Sequence, residues 1–180
     1  AARVVRRVRG LAARRRVDVG SELSGTIRGV EVDYNDRVTN GQILARLDAT
    51  RIDAQIAQAD ASLEAARARV SLSEATVREA TTQSERLSRL KTLSGGEMPS
   101  ASDLDAVAGA LARAHADETA SRAAIQQWLA TLAAYRADQA KLLIRSPING
   151  TVLRRSAQPG QTVAATLQSP VLFTLAEDLA

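Results

Sequence analysis

The sequence predicts an α+β fold in which a long antiparallel two-helix coiled-coil hairpin is inserted between the two halves of a small β domain. Three observations predict it. Two stretches of roughly 40 residues carry apolar side chains at alternating steps of four and three, a Gly-Gly break separates them, and the β-type segments on either side repeat one another.

In chain order, residues 1–16 form an Arg-rich segment. Within it Arg3-Val4-Val5-Arg6-Arg7-Val8-Arg9 has β-branched content but imperfect alternation, a weak strand pattern that Gly10 ends. From Arg16 the pattern improves. Val17 and Val19, then Ser24-Gly25-Thr26-Ile27, Val30 and Val32, a turn at Asn35-Asp36, Val38, a turn at Asn40-Gly41 and the run Ile43 to Leu47 read as short strands with turn chemistry every six to eight residues. Asp48 or Thr50 then caps a helix, Thr50 having Asp53 three residues on in the manner of a capping box.

In the first arm Ile52, Ile56, Ala59, Leu63, Ala66, Val70, Ser73, Val77, Ala80, Ser84 and Leu87 make an unbroken heptad seam. The second arm keeps the rhythm through Leu104, Val107, Leu111, Ala114, Glu118, Ser121, Ile125, Trp128, Leu132, Tyr135, Gln139 and Leu142, with Glu118 and Gln139 as polar interruptions. Between them Ser94-Gly95-Gly96-Glu97-Met98-Pro99 is too short for anything but a turn, so the arms must pair antiparallel. Ser100 with Asp103, or Ser102 with Asp105, signals the start of the second helix. Glu74 with Arg78, Glu85 with Arg89 and Glu118 with Arg122 are helix-surface pairs worth about 0.3–0.5 kcal/mol each. The weak mid-arm seam of alanine and serine predicts a labile hairpin in an isolated copy, because these residues bury little area.

At Ser146-Pro147 the helical pattern stops and strands return: Ile148-Asn149-Gly150-Thr151-Val152-Leu153, a turn at Gln158-Pro159-Gly160, Thr162-Val163, and Val171 to Leu175. Gly25-Thr26-Ile27 matches Gly150-Thr151-Val152, and Val38 matches Val163, at a constant offset of 125, while Leu44 and Leu47 match Leu172 and Leu175 after three inserted residues. The expected division is therefore a split β domain of residues 17–48 plus 146–176, with a helical hairpin over 49–145 whose tip lies near 94–100.

Composition narrows the functional classes. With one Phe, one Trp and two Tyr in 180 residues, the chain builds thin seams and has few of the side chains that wall a catalytic pocket. The net charge of +4 comes from seven arginines before residue 17, which leave 17 basic against 20 acidic residues in the rest. A mildly acidic body argues against a nucleic-acid partner, although a basic arm alone could touch phosphates or anionic lipid. The absence of cysteine excludes disulfides and thiolate chemistry and suits an oxidising compartment. No run of 18 apolar residues and no signal-peptide pattern occurs, so the sequence as read is expected neither to span a membrane nor to carry an export signal. His115 sits beside the seam, Trp128 and Tyr135 lie on it as packing residues, and the carboxylates show no nucleophile, base or metal partner. No catalytic, metal or cofactor site is expected.

The glycine-turn pattern Ser24-Gly25-Thr26-Ile27, Asn35-Asp36-Arg37-Val38 and Gly41-Gln42-Ile43-Leu44, answered by Ser146-Pro147-Ile148-Asn149-Gly150-Thr151-Val152 and Gly160-Gln161-Thr162-Val163, resembles the split lipoyl-like (barrel-sandwich hybrid) domain of periplasmic adaptors, the HlyD-related membrane fusion proteins. Arg16 to Gly20 and Thr174-Leu175-Ala176 look most like the MacA type. The resemblance covers about residues 17–178. It implies a non-enzymatic homo-oligomer, a hexamer if the family holds, in the periplasm and anchored in the inner membrane of a Gram-negative bacterium. Such an adaptor joins an inner-membrane transporter of ABC type to a TolC-like outer-membrane channel. It also implies a tip that docks through an arginine, a leucine four residues on and a serine seven beyond, a spacing met by Arg89, Leu93 and Ser100. Each has a plain structural reading beside it: partner of Glu85, last turn of the seam, and N-cap. Gln158, in the second-half turn, would face the pore of the assembled ring, or be an ordinary turn glutamine. On the same resemblance, residues 3–9 would be an orphan strand of a β-barrel domain that this sequence does not include.

Two rival readings follow from the same residues. A cofactor-carrying lipoyl or biotinyl subunit of an enzyme complex needs a lysine at the second-half turn, whereas Lys91 and Lys141 are the only lysines and both fall in helical segments. A coiled-coil nucleic-acid-binding protein rests on the arginine-rich start alone.

Overall fold

The computed structural model describes residues 16–165 and 170–177. The strand expected over residues 3–9 lies outside the described residues. Strands β1 (Arg16–Gly20), β2 (Gly25–Val30), β3 (Arg37–Val38) and β4 (Ile43–Leu47) precede helices α1 (Thr50–Leu93) and α2 (Ala101–Lys141); β5 (Leu143–Arg145), β6 (Gly150–Arg155), β7 (Thr162–Val163) and β8 (Val171–Glu177) follow. The described residues divide into two compact units, one running to Ile52 and resuming at Ala137, the other from Asp53 to Arg136.

The β unit is two four-stranded antiparallel sheets, ordered β1-β8-β6-β3 and β5-β4-β2-β7. Every strand pairing in them except β2 with β4 and β6 with β8 joins the first half of the sequence to the second. The 125-residue offset becomes a local two-fold in the hydrogen bonds. The Asn35 amide donates to Val152 O at 2.9 Å as the Gly160 amide donates to Ile27 O at 2.8 Å, and Val152 N meets Asp36 O as Ile27 N meets Gln161 O. Asn35 and Gly160 both have positive φ. The buried hydroxyls of Ser21 and Ser146 each donate to a carbonyl two residues on. Side chains alternating inward from both sheets fill the core, in which Phe173, Ile27, Leu44, Leu172, Leu175 and Val152 are fully buried.

The expected boundary at residue 145 moves. The heptad rhythm carries Leu142 onto the helical seam, but α2 ends at Lys141 and β5 pairs with β4. Leu142 and Ile144 are buried with the β core, and Leu47 N donates to Leu142 O at 2.9 Å. From Leu142 the apolar period is two rather than three and a half. Gln139 is correspondingly exposed.

In the helical unit Ala59, Leu63 and Leu132 are buried, with Ile56, Ile125, Trp128 and Tyr135 packed against them. Antiparallel pairing shows in the cross-helix ion pairs Asp60 with Arg136 (3.9 Å), Arg69 with Asp117 (3.7 Å) and Glu74 with Arg122 (2.9 Å). Glu74 thus reaches the opposite helix rather than Arg78. Arg122 also holds Glu118, the acid on the seam, at 2.8 Å, which satisfies a carboxylate that burial would otherwise penalise. At about 1.5 Å per residue, helices of 44 and 41 residues are each over 60 Å long.

Candidate functional site

The tip is built by three local devices. At the end of α1 the Gly96 amide donates to Lys91 O at 2.9 Å and the Ser94 amide to Leu90 O at 2.9 Å. With Gly95 at φ 65° and Gly96 at φ 94°, this is a glycine-terminated helix end whose last carbonyls are satisfied by a left-handed turn. At the start of α2, Ser100 Oγ donates to Asp103 Oδ2 at 2.6 Å and accepts from the Asp103 amide at 3.2 Å, while the Ser100 amide donates to Asp103 Oδ2 at 3.2 Å. That is a reciprocal capping box, and it selects Ser100 over Ser102 as the cap. Between the two ends Ser94 Oγ donates to Met98 O at 2.6 Å and accepts from the Met98 amide at 3.0 Å.

The three residues expected to dock lie together at this end of the hairpin. Arg89 is exposed, its guanidinium 3.7 Å from Glu85, a surface pair worth a fraction of a kcal/mol and easily exchanged for another acceptor. Leu93 is 84% exposed. Ser100 spends its proton on Asp103, so towards a partner it offers an acceptor lone pair rather than a donor. The tip therefore presents a fixed backbone, the exposed apolar side chain of Leu93 and the Arg89 cation one turn before it.

Gln158 lies in the exposed turn 158–161, where its amide donates to Gln161 Oε1 at 3.2 Å and its carbonyl accepts from the Gln161 amide at 3.2 Å. Its counterpart under the local two-fold, Asp33, is tied by Arg155 at 3.1 Å and by the Tyr34 amide at 2.7 Å. The side-chain amide of Gln158 has no such tie among the described residues. Lys91 and Lys141 are both helical, and Lys141 lies 3.4 Å from Glu22.

Among the described residues no group of three or more histidine, cysteine or carboxylate side chains could hold a metal, and no helix is long and apolar enough to cross a membrane. His115 is exposed and 3.6 Å from Glu118. Sequence reasoning missed Met98 and Ser94 at the tip. The one available signal was an isolated methionine in a breaker-rich turn, an apolar residue with no periodic partner.

Comparisons with known proteins agree on what this architecture is similar to. The family model for the RND MFP (membrane fusion protein) barrel-sandwich hybrid domain matches residues 15–175. The macrolide export protein MacA of Yersinia pestis is 32% identical over 167 residues, covering 93% of this chain and 44% of that protein. The pyoverdine export membrane fusion protein PvdR of Pseudomonas aeruginosa is 30% identical over 167 residues, covering 93% and 42%. The crystal structure of MacA from Actinobacillus actinomycetemcomitans superposes with a TM-score of 0.82 at 26% identity, covering 89% of this chain and 48% of that one. The chain thus spans a little under half the length of these relatives.

Proposed function

From the premise that this chain belongs to the membrane fusion protein family, with a MacA-like barrel-sandwich hybrid domain and hairpin, we propose that it is the adaptor portion of a tripartite export pump in the periplasm of a Gram-negative bacterium. In this reading the hairpin tip docks on a TolC-like outer-membrane channel, and the protein serves an inner-membrane transporter of ABC type. It does no chemistry of its own; its work is assembly.

The observation that carries the reading is the tip. Among the described residues Leu93 is the most exposed of the large apolar side chains, and it stands on a backbone fixed on both sides by caps. Apolar area held out at a rigid helix end has no use in the isolated chain. Docked, it supplies buried area while Arg89 supplies directed bonds to carbonyl or carboxylate acceptors on the partner. Several copies, six in the fullest form, would stand side by side, and the untied Gln158 amide would then contribute a hydrogen-bonding constriction to their central pore.

The chain has no cysteine, so Leu93→Cys and Ser100→Cys each create a single labelling site. Cross-linking from either position to a purified TolC-like channel is the expected result. Capture from a control cysteine replacing exposed Ala75, far from the tip, but from neither tip position would overturn the reading.

A further inference from the structure

Two features of the tip have no part in docking through Arg89, Leu93 and Ser100. Met98 is 68% exposed, so two large apolar side chains, not one, stand out beside the Gly95-Gly96 turn. And a single hydroxyl, that of Ser94, satisfies both backbone polar groups of Met98: it donates to the carbonyl at 2.6 Å and accepts from the amide at 3.0 Å, with Lys91 O a further 3.2 Å acceptor. Ser94 immediately follows Leu93. The clasp therefore ties the chain at one apolar side chain to the chain at the other.

We propose that Met98 is a second apolar anchor of the tip and that Ser94 positions it, so that the hairpin engages an apolar depression on the TolC-like channel with two prongs. This rests on the docking role proposed above. The physical case has three parts. A methionine exposed in a polar turn costs solubility unless something covers it, and its unbranched thioether adapts to an irregular surface better than a branched chain does. A loop held in its bound shape loses less conformational freedom on association, which is what the clasp, the glycine-terminated end of α1 and the Ser100–Asp103 box provide together. Finally, exposed charged residues flank the pair along the chain: Arg89 and Lys91 on α1, Glu97 in the turn, Asp103 and Asp105 on α2. An apolar centre with a polar rim is the anatomy of a specific interface.

The test measures binding of the whole chain to an immobilised, purified TolC-like channel. Met98→Ala is expected to weaken it about tenfold, comparably to Leu93→Ala, and Met98→Leu to stay within about twofold of the parent. Ser94→Ala is expected to weaken it several-fold and Ser94→Thr to restore it. The double change Ser94→Ala/Met98→Ala should bind no worse than Met98→Ala alone, because a positioning residue has nothing left to position. Helical content measured by circular dichroism guards against a folding defect. As a second route, Met98→Cys carrying a photoactivatable cross-linker should capture the channel as Leu93→Cys does. Parent-like binding by Met98→Ala together with loss for Leu93→Ala would remove the second anchor and leave the docking role standing. Parent-like binding by both would remove both.

Discussion

In the β unit Phe173, Leu44, Val152 and Leu175 have no accessible surface at all, whereas the buried seam of the hairpin consists of Ala59, Leu63, Ala66, Ser73, Ala114, Ser121 and Leu132. Of those seven only Leu63 and Leu132 are larger than serine. Beyond Ser73 on α1, and before Ala114 on α2, no helical residue is buried. Two sheets face to face cover a side chain from every direction, but two helices side by side cover only the stripe between them. A fully buried leucine or phenylalanine contributes roughly 1.5–3 kcal/mol and an alanine far less. The β unit thus closes its core on itself, and the distal hairpin leaves its side chains at least partly open.

The sharpest way to break this comparison is to remove one large buried side chain from each unit, Phe173 from the first and Leu132 from the second. Phe173→Ala should cost about 3–5 kcal/mol in urea unfolding. Leu132→Ala should cost about 2–3 kcal/mol, and its loss of amide protection should be confined to the helices. If hydrogen exchange showed the β strands opening together with the helices in Leu132→Ala, the two units would be one cooperative structure and the contrast would fail.

A smaller effect compares the two halves of the β unit. A Cβ on Gly150 would lie 2.0 Å from Ala176 O in β8, a backbone atom that cannot rotate away, whereas one on Gly25, its counterpart, would meet only the Leu47 side chain, Cβ at 3.8 Å and Cδ1 at 3.9 Å. Gly150→Ala should therefore cost about 2 kcal/mol or more by forcing β6 and β8 apart, and Gly25→Ala less than about 0.5 kcal/mol. Equal melting temperatures for the two variants would show that the local two-fold extends to packing as well as to hydrogen bonds.

Smaller again is a contrast inside the hairpin. Ser73 Oγ donates to Val70 O at 2.9 Å, while Ser121 Oγ is buried without a hydrogen-bond partner among the described residues. Replacing an unsatisfied buried hydroxyl by hydrogen removes a desolvation cost, so Ser121→Ala should gain about 1 kcal/mol and Ser73→Ala should change stability by less than half of that. Denaturation curves that shift equally for both would mean that the Ser121 hydroxyl is satisfied in solution.

Much of this was legible in the residues because local and global signals agreed. The 125-residue offset, visible as Gly25-Thr26-Ile27 against Gly150-Thr151-Val152, became strands of opposite halves paired with each other. The seam through Leu63 and Leu132 became a packed cluster. What was not legible lay where two periods overlap or none exists. Leu142 satisfies both a heptad and an alternation, and only the pairing of β4 with β5 decides between them. Glu74 has an arginine four residues along its own helix and another across the seam, and sequence spacing sees only the first. Met98 belongs to no period, so its isolation in a breaker-rich turn was its one signal in the sequence, and its exposure and the Ser94 clasp single it out.

The smallest expected effect concerns the entry from β4 into α1. The Asp48 carboxylate accepts from the Thr50 hydroxyl at 2.6 Å and the Thr50 amide at 2.9 Å, with Arg28 at 3.8 Å. The hydroxyl bond first, then the amide bond, hold its pKa below the ordinary aspartate value, Arg28 adding to them and slight desolvation opposing. Because the folded pKa is the lower one, the charged form is favoured by folding. The contribution is present above the unfolded value and is lost as pH falls through the folded one. Asp48→Asn should therefore melt slightly below the parent at pH 7, and the gap should close as pH drops below about 4. Subtracting the two curves at each pH cancels the titration of all other carboxylates, which both proteins share. A gap of constant size down to pH 2.5 would mean that shape rather than charge at residue 48 holds the start of α1, and the junction would then owe its order to the apolar seat of Ile52 against the β core.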